Sequence, residues 1–141
     1  MDSPADLLQL WHDFTDLWNG DYSLARIVAP DFTLHAHLIG GLSSDSVRGP
    51  EGLANWIRQA RAPFSEVRFV TEVGPLVSDD YVSGRWVATG AYQGGFPGAK
   101  AKAGARVAFA GNDILRTEQG LIVDYWTCAD TLALLTQLEA L

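Results

Sequence analysis

The sequence of 141 residues is long enough for one domain with a hydrophobic core, and 48% hydrophobic against 19% charged residues argues against disorder. No apolar run approaches the roughly 18 residues that a membrane-spanning helix requires, so we expect no membrane partner. Ten scattered basic residues and a net charge of −7 argue against a nucleic-acid partner and favour a neutral or cationic small molecule.

The N-terminal segment predicts an amphipathic helix. Ser3 is a candidate N-cap, Pro4 suits the first helical position, and Asp6 stands where a capping-box acid belongs. Apolar residues then recur at spacings of three and four: Leu7, Leu10, Trp11, Phe14, Leu17 and Trp18. An Asn-Gly pair ends this helix, and residues 23–30 predict a short second helix that a proline stops.

Residues 31–39 alternate in polarity and predict a strand. Its apolar face would be Phe32, Leu34, Ala36 and Leu38. The opposite face would carry Thr33, His35 and His37. After a polar loop, Pro50 opens a helix that Pro63 ends. The inward face of that helix would be Leu53, Trp56, Ile57 and Ala60.

The rest of the chain predicts two hairpins and a final helix. Residues 67–77 and 81–92 flank one turn, and residues 106–116 and 121–128 flank another. A last helix begins near Thr131, with an apolar stripe of Leu132, Leu134, Leu135 and Leu138. This order predicts an α+β fold in which the helices pack on one face of a curved, mostly antiparallel sheet.

The N-terminus and the single cysteine bear on location. The first ten residues carry no basic stretch before their apolar part, so they do not predict a secretory signal. Cys128 is the only cysteine, which excludes an intrachain disulfide and a cysteine zinc cluster. We therefore expect a cytoplasmic protein.

Five segments together resemble one family. They read LWNGD, VAPDFTLH, VRGPEGLANWI, GAYQGGFPG and FAGNDILRTEQGLIVDYWTCADTLALLTQL, and they span about residues 11–138. Their order resembles that of the SnoaL-like polyketide cyclases, in the nuclear-transport-factor-2-like superfamily. The resemblance implies that residues 1–141 form a single domain. That domain would be a cone-shaped half-barrel in which three to four helices close an apolar cavity.

The resemblance also implies activity and partners. The cyclases close a ring of an aromatic polyketide by intramolecular aldol chemistry, in which a carboxylate deprotonates an activated carbon. They use no metal and no organic cofactor, and members commonly pair sheet to sheet as homodimers. We therefore expect a cyclase or isomerase acting on an apolar, polyketide-like or polycyclic carbonyl compound. We expect no cofactor, a small hydrophobic molecule as the ligand, and a homodimer.

Asp130 matches the aspartate that the cyclases use as general acid and base. It follows a strand end where Trp126 could desolvate its carboxyl group and raise its pKa. Asp130 is equally well placed to be the N-cap of the last helix, so both interpretations stay open.

Asp113 is in phase with Val107, Phe109 and Leu115 along a predicted strand. If their shared face is concave, Asp113 is a buried carboxyl group that is either paired or protonated. The alternatives are an ion pair with Arg85 or Arg106, or a solvated or dimer-facing position. The sequence alone does not decide which face is concave.

The histidines give a third candidate. His35 lies where many family members have a histidine, and it shares a predicted face with His37. Either imidazole could move a proton or orient a carbonyl group, or both could be ordinary surface residues. The characterised cyclases carry a further histidine in the C-terminal hairpin, whereas this chain has none after His37. Asp113, Tyr92 or His35 would take its place, or the chemistry differs.

The aromatic residues are the candidates for substrate binding. Five Trp, four Tyr and six Phe are a high load for a small domain, and such rings fill cores and line pockets for flat molecules. Besides His37, the candidates are Trp126, Tyr92, Trp56, Trp18 and Phe109.

Two other functions stay open. One is a non-catalytic binding protein for a small molecule on the same fold. The other is an epoxide hydrolase or dehydratase, for which Asp113, Arg85 and Asp130 could supply an acid-arginine-acid relay. Two strand histidines and an undefined acid are a weak ligand set, so we expect no metal site.

Overall fold

A computed structural model describes residues 2–37 and 43–141. Helix α1 spans Pro4–Trp18, α2 spans Gly49–Arg61 and α3 spans Thr131–Gln137, with 3₁₀ turns at Tyr22–Ile27 and Ser44–Ser46. The strands are β1 Val28–His35, β2 Phe64–Ser78, β3 Tyr81–Tyr92, β4 Arg106–Glu118 and β5 Leu121–Ala129.

The five strands form one mixed sheet in the order β1-β5-β4-β3-β2. The β2–β3, β3–β4 and β4–β5 pairs are antiparallel, as the two predicted hairpins require. Strand β1 pairs in parallel with β5, and the long connection that a parallel pair needs is provided by α2 and three strands. The fold is α+β, with helices against one face of a curved open sheet, as predicted.

Helix α1 begins as predicted. The Ser3 hydroxyl accepts a hydrogen bond from the Asp6 backbone N–H, and the Asp6 carboxylate accepts one from the Ser3 N–H. Its predicted apolar face is buried at Leu7, Leu10, Trp11, Phe14 and Leu17. Each such side chain contributes about 1.5–3 kcal/mol through the apolar area that it removes from water. The face therefore fixes α1 on the sheet.

Three predictions need correction. The helix predicted at residues 23–30 is a 3₁₀ turn that ends at Ile27, and β1 starts at Val28. Strand β1 ends at His35, so His37 does not continue the predicted strand face, and Leu38 lies outside the described residues. Leu132 is 65% exposed because it lies about 200° around α3 from Leu134, which packs on the sheet.

The core divides into two clusters. The larger one joins α1, α2 and β1 to the middle of the sheet, and Phe14, Phe32 and Tyr125 are buried in it. The smaller one joins α3 to the ends of β2, β3 and β4, with Phe64, Val107 and Leu138 among its members. Trp18 packs against both, which places it between the two.

Candidate functional site

A cavity of about 840 Å³ opens between the helices and the concave face of the sheet. Its walls are mainly aromatic, and they include Trp18, Trp56, Phe69, Trp86, Phe109 and Tyr125. The rings meet mostly edge to face: Trp18 and Trp56 lie 5.4 Å apart at 82°, and Trp86 and Phe109 lie 5.8 Å apart at 86°. Such a chamber suits a flat apolar molecule.

Two glycines on the concave face make room for these rings. A Cβ atom at Gly84 would lie 2.6 Å from Cζ2 of Trp11, and one at Gly111 would overlap the indole of Trp86. Gly111 pairs with Trp86 across β3 and β4, so the indole lies directly over the neighbouring strand. The missing side chains thus let large rings lie flat against the sheet.

Asp113 is the one carboxylate among the described residues that line the cavity. It lies on β4 and is 2% exposed, and its face is shared with Val107, Phe109 and Leu115, as the strand alternation predicted. Burial raises the pKa of Asp113 from 3.8 to about 6, although polar groups on Thr127, Trp86 and Tyr125 favour the ionised form. A carboxyl group with this pKa can take up and return a proton near neutral pH.

Tyr125 lies beside this acid on β5. Its hydroxyl donates to Oδ2 of Asp113 at 3.4 Å, and its ring stands edge-on against Phe14 at 5.0 Å. Burial, followed by the charge of Asp113, raises the pKa of Tyr125 well above its usual value of 10.0. The phenol therefore stays protonated and acts on Asp113 as a donor.

Two buried polar atoms at the cavity lack a hydrogen-bond partner among the described residues. They are Oδ1 of Asp113 and Nε1 of Trp18. Both residues line the cavity. A buried polar atom without a partner is uncommon, and in a cavity it marks a place where a ligand atom can bind.

His35 and Trp126 lie on the opposite face of the sheet. They pair in register between β1 and β5, and their rings stack with centroids 4.7 Å apart and planes 10° apart. Nε2 of His35 lies 2.9 Å from Oδ1 of Asp124, whose other oxygen accepts from Arg116 at 2.8 Å. Trp126 pairs with Ile114 rather than with Asp113, so alternation turns it away from the cavity. Neither residue belongs to the cavity lining.

Asp130 lies at the N-terminus of α3. It is exposed, and its Oδ1 accepts a hydrogen bond from the Ala133 backbone N–H at 3.1 Å. The geometry is that of an N-cap, the alternative that the sequence left open. Asp130 lies outside the lining, whereas its neighbours Ala129 and Thr131 belong to it.

Of the other predicted binding residues, four line the cavity and one supports a loop that lines it. His37, Trp56, Trp18 and Phe109 line the cavity. Tyr92 lies beneath the loop at residues 93–105, and its hydroxyl accepts from the Phe96 backbone N–H at 3.1 Å. Because Phe96 itself lines the cavity, Tyr92 acts on the chamber through that loop.

The acid-arginine-acid relay is not assembled. Nε of Arg85 donates to Glu72 at 3.1 Å, and Arg106 lies 3.8 Å from Glu66. Neither arginine lies in the cavity lining, so neither reaches Asp113. Within residues 2–37 and 43–141, no group of three or more His, Cys, Asp or Glu side chains is arranged to hold a metal ion.

Tyr125, Thr127 and Trp86 were not singled out as site residues by the sequence. Tyr125 and Trp86 could be named there only as aromatic residues typical of a core. What places these residues at the site is the register between β4 and β5. Thr127 pairs with Asp113, and Tyr125 pairs with Leu115, on the same face of the sheet. That register could not be predicted, because β4 and β5 shift against each other between Arg116 and Thr117.

A curved α+β sheet whose helices enclose an apolar cavity agrees with the nuclear-transport-factor-2-like fold that the sequence resemblance implied. Residues 5–138 match the SnoaL-like polyketide cyclase family, and the chain belongs to that family. No curated protein matches the sequence. In the part of the chain that the structure describes, no helix has the length and apolar character needed to cross a membrane.

Solved structures agree with this fold. TsrD from Streptomyces laurentii has a TM-score of 0.81 and 24% identity over 100% of both chains. A Bacillus cereus protein provisionally named a polyketide cyclase has a TM-score of 0.78 and 24% identity, over 96% of this chain and 82% of its own. A Catenulispora acidiphila protein with a ketosteroid isomerase-like fold, solved with trimethylamine, has a TM-score of 0.73 and 20% identity, over 99% and 96%. At these identities the likeness concerns the fold.

Proposed function

We propose that this protein is a cyclase or isomerase that acts on an apolar, polyketide-like or polycyclic carbonyl compound, with Asp113 as its acid and base. The observation that carries the proposal is one carboxyl group, 2% exposed, in the wall of an aromatic cavity. Membership of the SnoaL-like polyketide cyclase family supports the same class of reaction. Asp113 takes the role that the sequence had assigned first to Asp130.

The proposed chemistry is a proton transfer at the carbon next to a carbonyl group. The Asp113 carboxylate takes a proton from that carbon, and the electron pair of the C–H bond moves onto the carbonyl oxygen to give an enolate. In a cyclase the enolate carbon attacks a second carbonyl group of the same molecule, and Asp113 returns its proton to the new alkoxide. In an isomerase the proton returns to a different carbon. Both routes regenerate the carboxylate.

The chamber fits such a substrate in size and in polarity. Its volume of about 840 Å³ lies in the range of about 300–1,000 Å³ that is usual for small-molecule sites. A flat ring system would lie between the walls formed by Trp56 and Phe109, with polar contacts at Asp113 and Trp18. His37 and Asn55, which also line the cavity, are polar residues for a substituent away from the reacting carbon.

The test is hydrogen–deuterium exchange at the activated carbon of 2-tetralone, a bicyclic ketone, followed by NMR in D2O. We expect Asp113→Asn to slow the catalysed exchange at least about 100-fold, because the amide cannot accept the proton. Asp130→Asn is the matched control: it changes an equally conservative acid that lies outside the lining, and exchange should persist. The opposite pattern would transfer the role to Asp130, and exchange by both variants would overturn the acid–base proposal.

A non-catalytic binding protein is the second candidate. The observation that favours it is the absence of any histidine after His37, where the characterised cyclases carry one. Native mass spectrometry of the purified protein separates the two candidates when it is read with the exchange assay. A tightly held hydrophobic molecule together with no exchange by the unmodified protein would favour binding alone.

We further propose that the protein acts as a homodimer, joined through the convex face of the sheet, in the cytoplasm. That face carries large apolar side chains that are 40–60% exposed, namely Val70, Val73, Leu76, Tyr81 and Ile114. Contiguous exposed apolar residues on a sheet are typical of a protein–protein interface. The cytoplasmic location is supported by Cys128, a free cysteine that has no second cysteine to pair with.

A further inference from the structure

The indole N–H of Trp18 is a buried donor without an acceptor in the part of the chain that the structure describes. Its Nε1 atom is out of contact with water and has no hydrogen-bond partner among the described residues. Its ring packs edge-on against Trp56 at 5.4 Å and at a tilt against Phe69 at 5.1 Å. An indole N–H can only donate, so neither aromatic neighbour satisfies it as an acceptor oxygen would. An unmet buried donor costs stability and calls for an explanation.

The two tryptophan side chains of α1 differ in their hydrogen bonding. Trp11 lies on the same face of α1 two turns earlier, and its Nε1 donates to Oγ1 of Thr71 at 2.9 Å. The Nε1 atom of Trp18, at the end of the helix, makes no such hydrogen bond to any described residue. One indole of α1 is thus bonded to the sheet, whereas the other lines the cavity and its N–H has no partner among the described residues.

The backbone around Trp18 holds the indole in place. Nη1 of Arg61 donates to the Trp18 carbonyl oxygen at 2.8 Å. The next residue, Asn19, exchanges two side-chain hydrogen bonds with the backbone of Phe69, at 2.9 and 2.7 Å. A donor fixed in this way loses little conformational freedom when a ligand binds, so its position is prepared in advance.

The free donor lies beside the proposed acid. The Trp18 N–H is close enough to the Tyr125 hydroxyl to favour the ionised form of that hydroxyl, yet it makes no hydrogen bond with it. The Tyr125 hydroxyl is itself directed to Oδ2 of Asp113. Trp18 and Asp113, which carry the two unpartnered atoms, therefore both act on the Tyr125 hydroxyl, and all three residues line the same mainly aromatic cavity.

We propose that Nε1 of Trp18 binds the carbonyl oxygen of the substrate while Asp113 takes the proton from the adjacent carbon. This inference rests on the proposed function and narrows its substrates to compounds with a hydrogen-bearing carbon directly beside a ketone carbonyl. As the C–H electron pair moves to the oxygen, negative charge builds up on the atom that Trp18 contacts. The indole keeps its proton throughout, so it stabilises the enolate without exchanging protons with it.

The first test compares two ligands of the same shape, 2-tetralone and tetralin, which lacks the oxygen. Trp18→Phe keeps an aromatic ring and removes the N–H. We expect it to weaken 2-tetralone binding about fivefold to tenfold, a normal effect for one hydrogen bond, and to leave tetralin binding within about twofold. Equal weakening of both ligands would show a packing role and overturn the proposal.

The second test does not depend on the variant folding. In the unmodified protein labelled with ¹⁵N, the indole N–H signal of Trp18, assigned by through-bond experiments, should move downfield when 2-tetralone binds. Tetralin should not cause this shift, because it offers no acceptor. A Trp18 signal that responds alike to both ligands would contradict the proposal.

The exchange assay separates this inference from the proposed function. We expect Trp18→Phe to slow exchange of 2-tetralone about 10- to 100-fold with KM changed less than kcat, because the enolate needs the donor more than the ketone does. If Asp113→Asn abolishes exchange and Trp18→Phe leaves it intact, the role of Trp18 is wrong and the proposed function stands. If the unmodified protein shows no exchange but Trp18→Phe still removes the preference for 2-tetralone, the proposed function fails and the donor site stands.

Discussion

Asp113 couples the proposed chemistry to the stability of the fold. Its pKa is about 6 in the folded protein and 3.8 in an unfolded chain, because burial disfavours the carboxylate. Between these two values the folded state binds more protons than the unfolded state, so the free energy of unfolding falls as the pH rises from about 4 to about 6. Above that window the folded protein holds a charge that costs on the order of 3 kcal/mol.

Removing this charge should therefore stabilise the protein. We expect Asp113→Asn to raise the free energy of unfolding at pH 8 by on the order of 1–3 kcal/mol, and to change it little at pH 4, where Asp113 is already protonated. Urea denaturation of both proteins at the two pH values measures the difference. A variant that is destabilised at pH 8 would mean that the ionised Asp113 is well satisfied in the fold.

Tyr125 should tune the acid without carrying the proton. Its hydroxyl donates to Oδ2 of Asp113 and so favours the carboxylate. In Tyr125→Phe this donor is lost, and we expect the pKa of Asp113 to rise above about 6. The midpoint of the acidic limb of the pH–rate profile for 2-tetralone exchange should shift to higher pH by the same amount. An unshifted profile with a lower plateau would instead indicate that Tyr125 contacts the substrate.

At the scale of single helices and strands, the features that could be predicted are those that follow from the periodicity of apolar residues in the sequence. Helix α1, both hairpins and the shared face of Asp113 with Leu115 follow from spacings of three, four and two residues. Which strand face is concave depends on where the helices pack, a tertiary feature that no single strand encodes. Trp126 shows the consequence: it lies between the two acids in sequence, yet the strand register places it opposite Ile114 on the other face.

Asp130 shows a second reason why the site could not be predicted from the sequence alone: an aspartate at this position suits both a catalytic role and an N-cap. Its side chain caps α3, a helix of only seven residues, by accepting from the Ala133 N–H. The sequence was compatible with both roles, and only the direction of the Asp130 side chain in the structure distinguishes them. Leu134 of α3 and Leu138, just after the helix, belong to the smaller core cluster, and Leu134 also lines the cavity. The cap of α3 therefore helps to hold one end of the cavity.

We therefore expect Asp130→Ala to lower the free energy of unfolding by about 1 kcal/mol, a usual value for a lost N-cap. Asp130→Ser is the matched variant: its hydroxyl can accept the same hydrogen bond without a charge, so stability should stay within a few tenths of a kcal/mol of the unmodified protein. Urea denaturation checks both values. If both variants were as stable as the parent but inactive in exchange, the cap would be incidental and Asp130 would regain the catalytic role.

At the scale of the whole molecule, the same sheet forms the cavity wall with its concave face and the proposed dimer interface with its convex face. Along β4, every second residue from Val107 to Thr117 faces the helices, and the residues between them face outward. The inward set carries Asp113, while the outward set carries Ile114 and Arg116, the latter paired with Asp124 at 2.8 Å. Because alternation fixes both sets at once, a shift of β4 by one residue would remove the acid from the cavity and the apolar residue from the outer face together.

The outer face allows a direct test of the proposed homodimer. Ile114 is 44% exposed and lies beside Trp126 in the sheet, so Ile114→Lys would place a charge in the middle of the apolar surface. In a symmetric dimer each protein copy brings the same substitution to the interface, so two lysines meet and must be desolvated. We expect the dimer dissociation constant, measured by analytical ultracentrifugation, to rise at least about 100-fold, with the fold unchanged by circular dichroism. Leu132→Lys is the control, because Leu132 is 65% exposed on α3 and away from the sheet face; if both variants dissociate alike, or neither does, the two copies do not meet through this face.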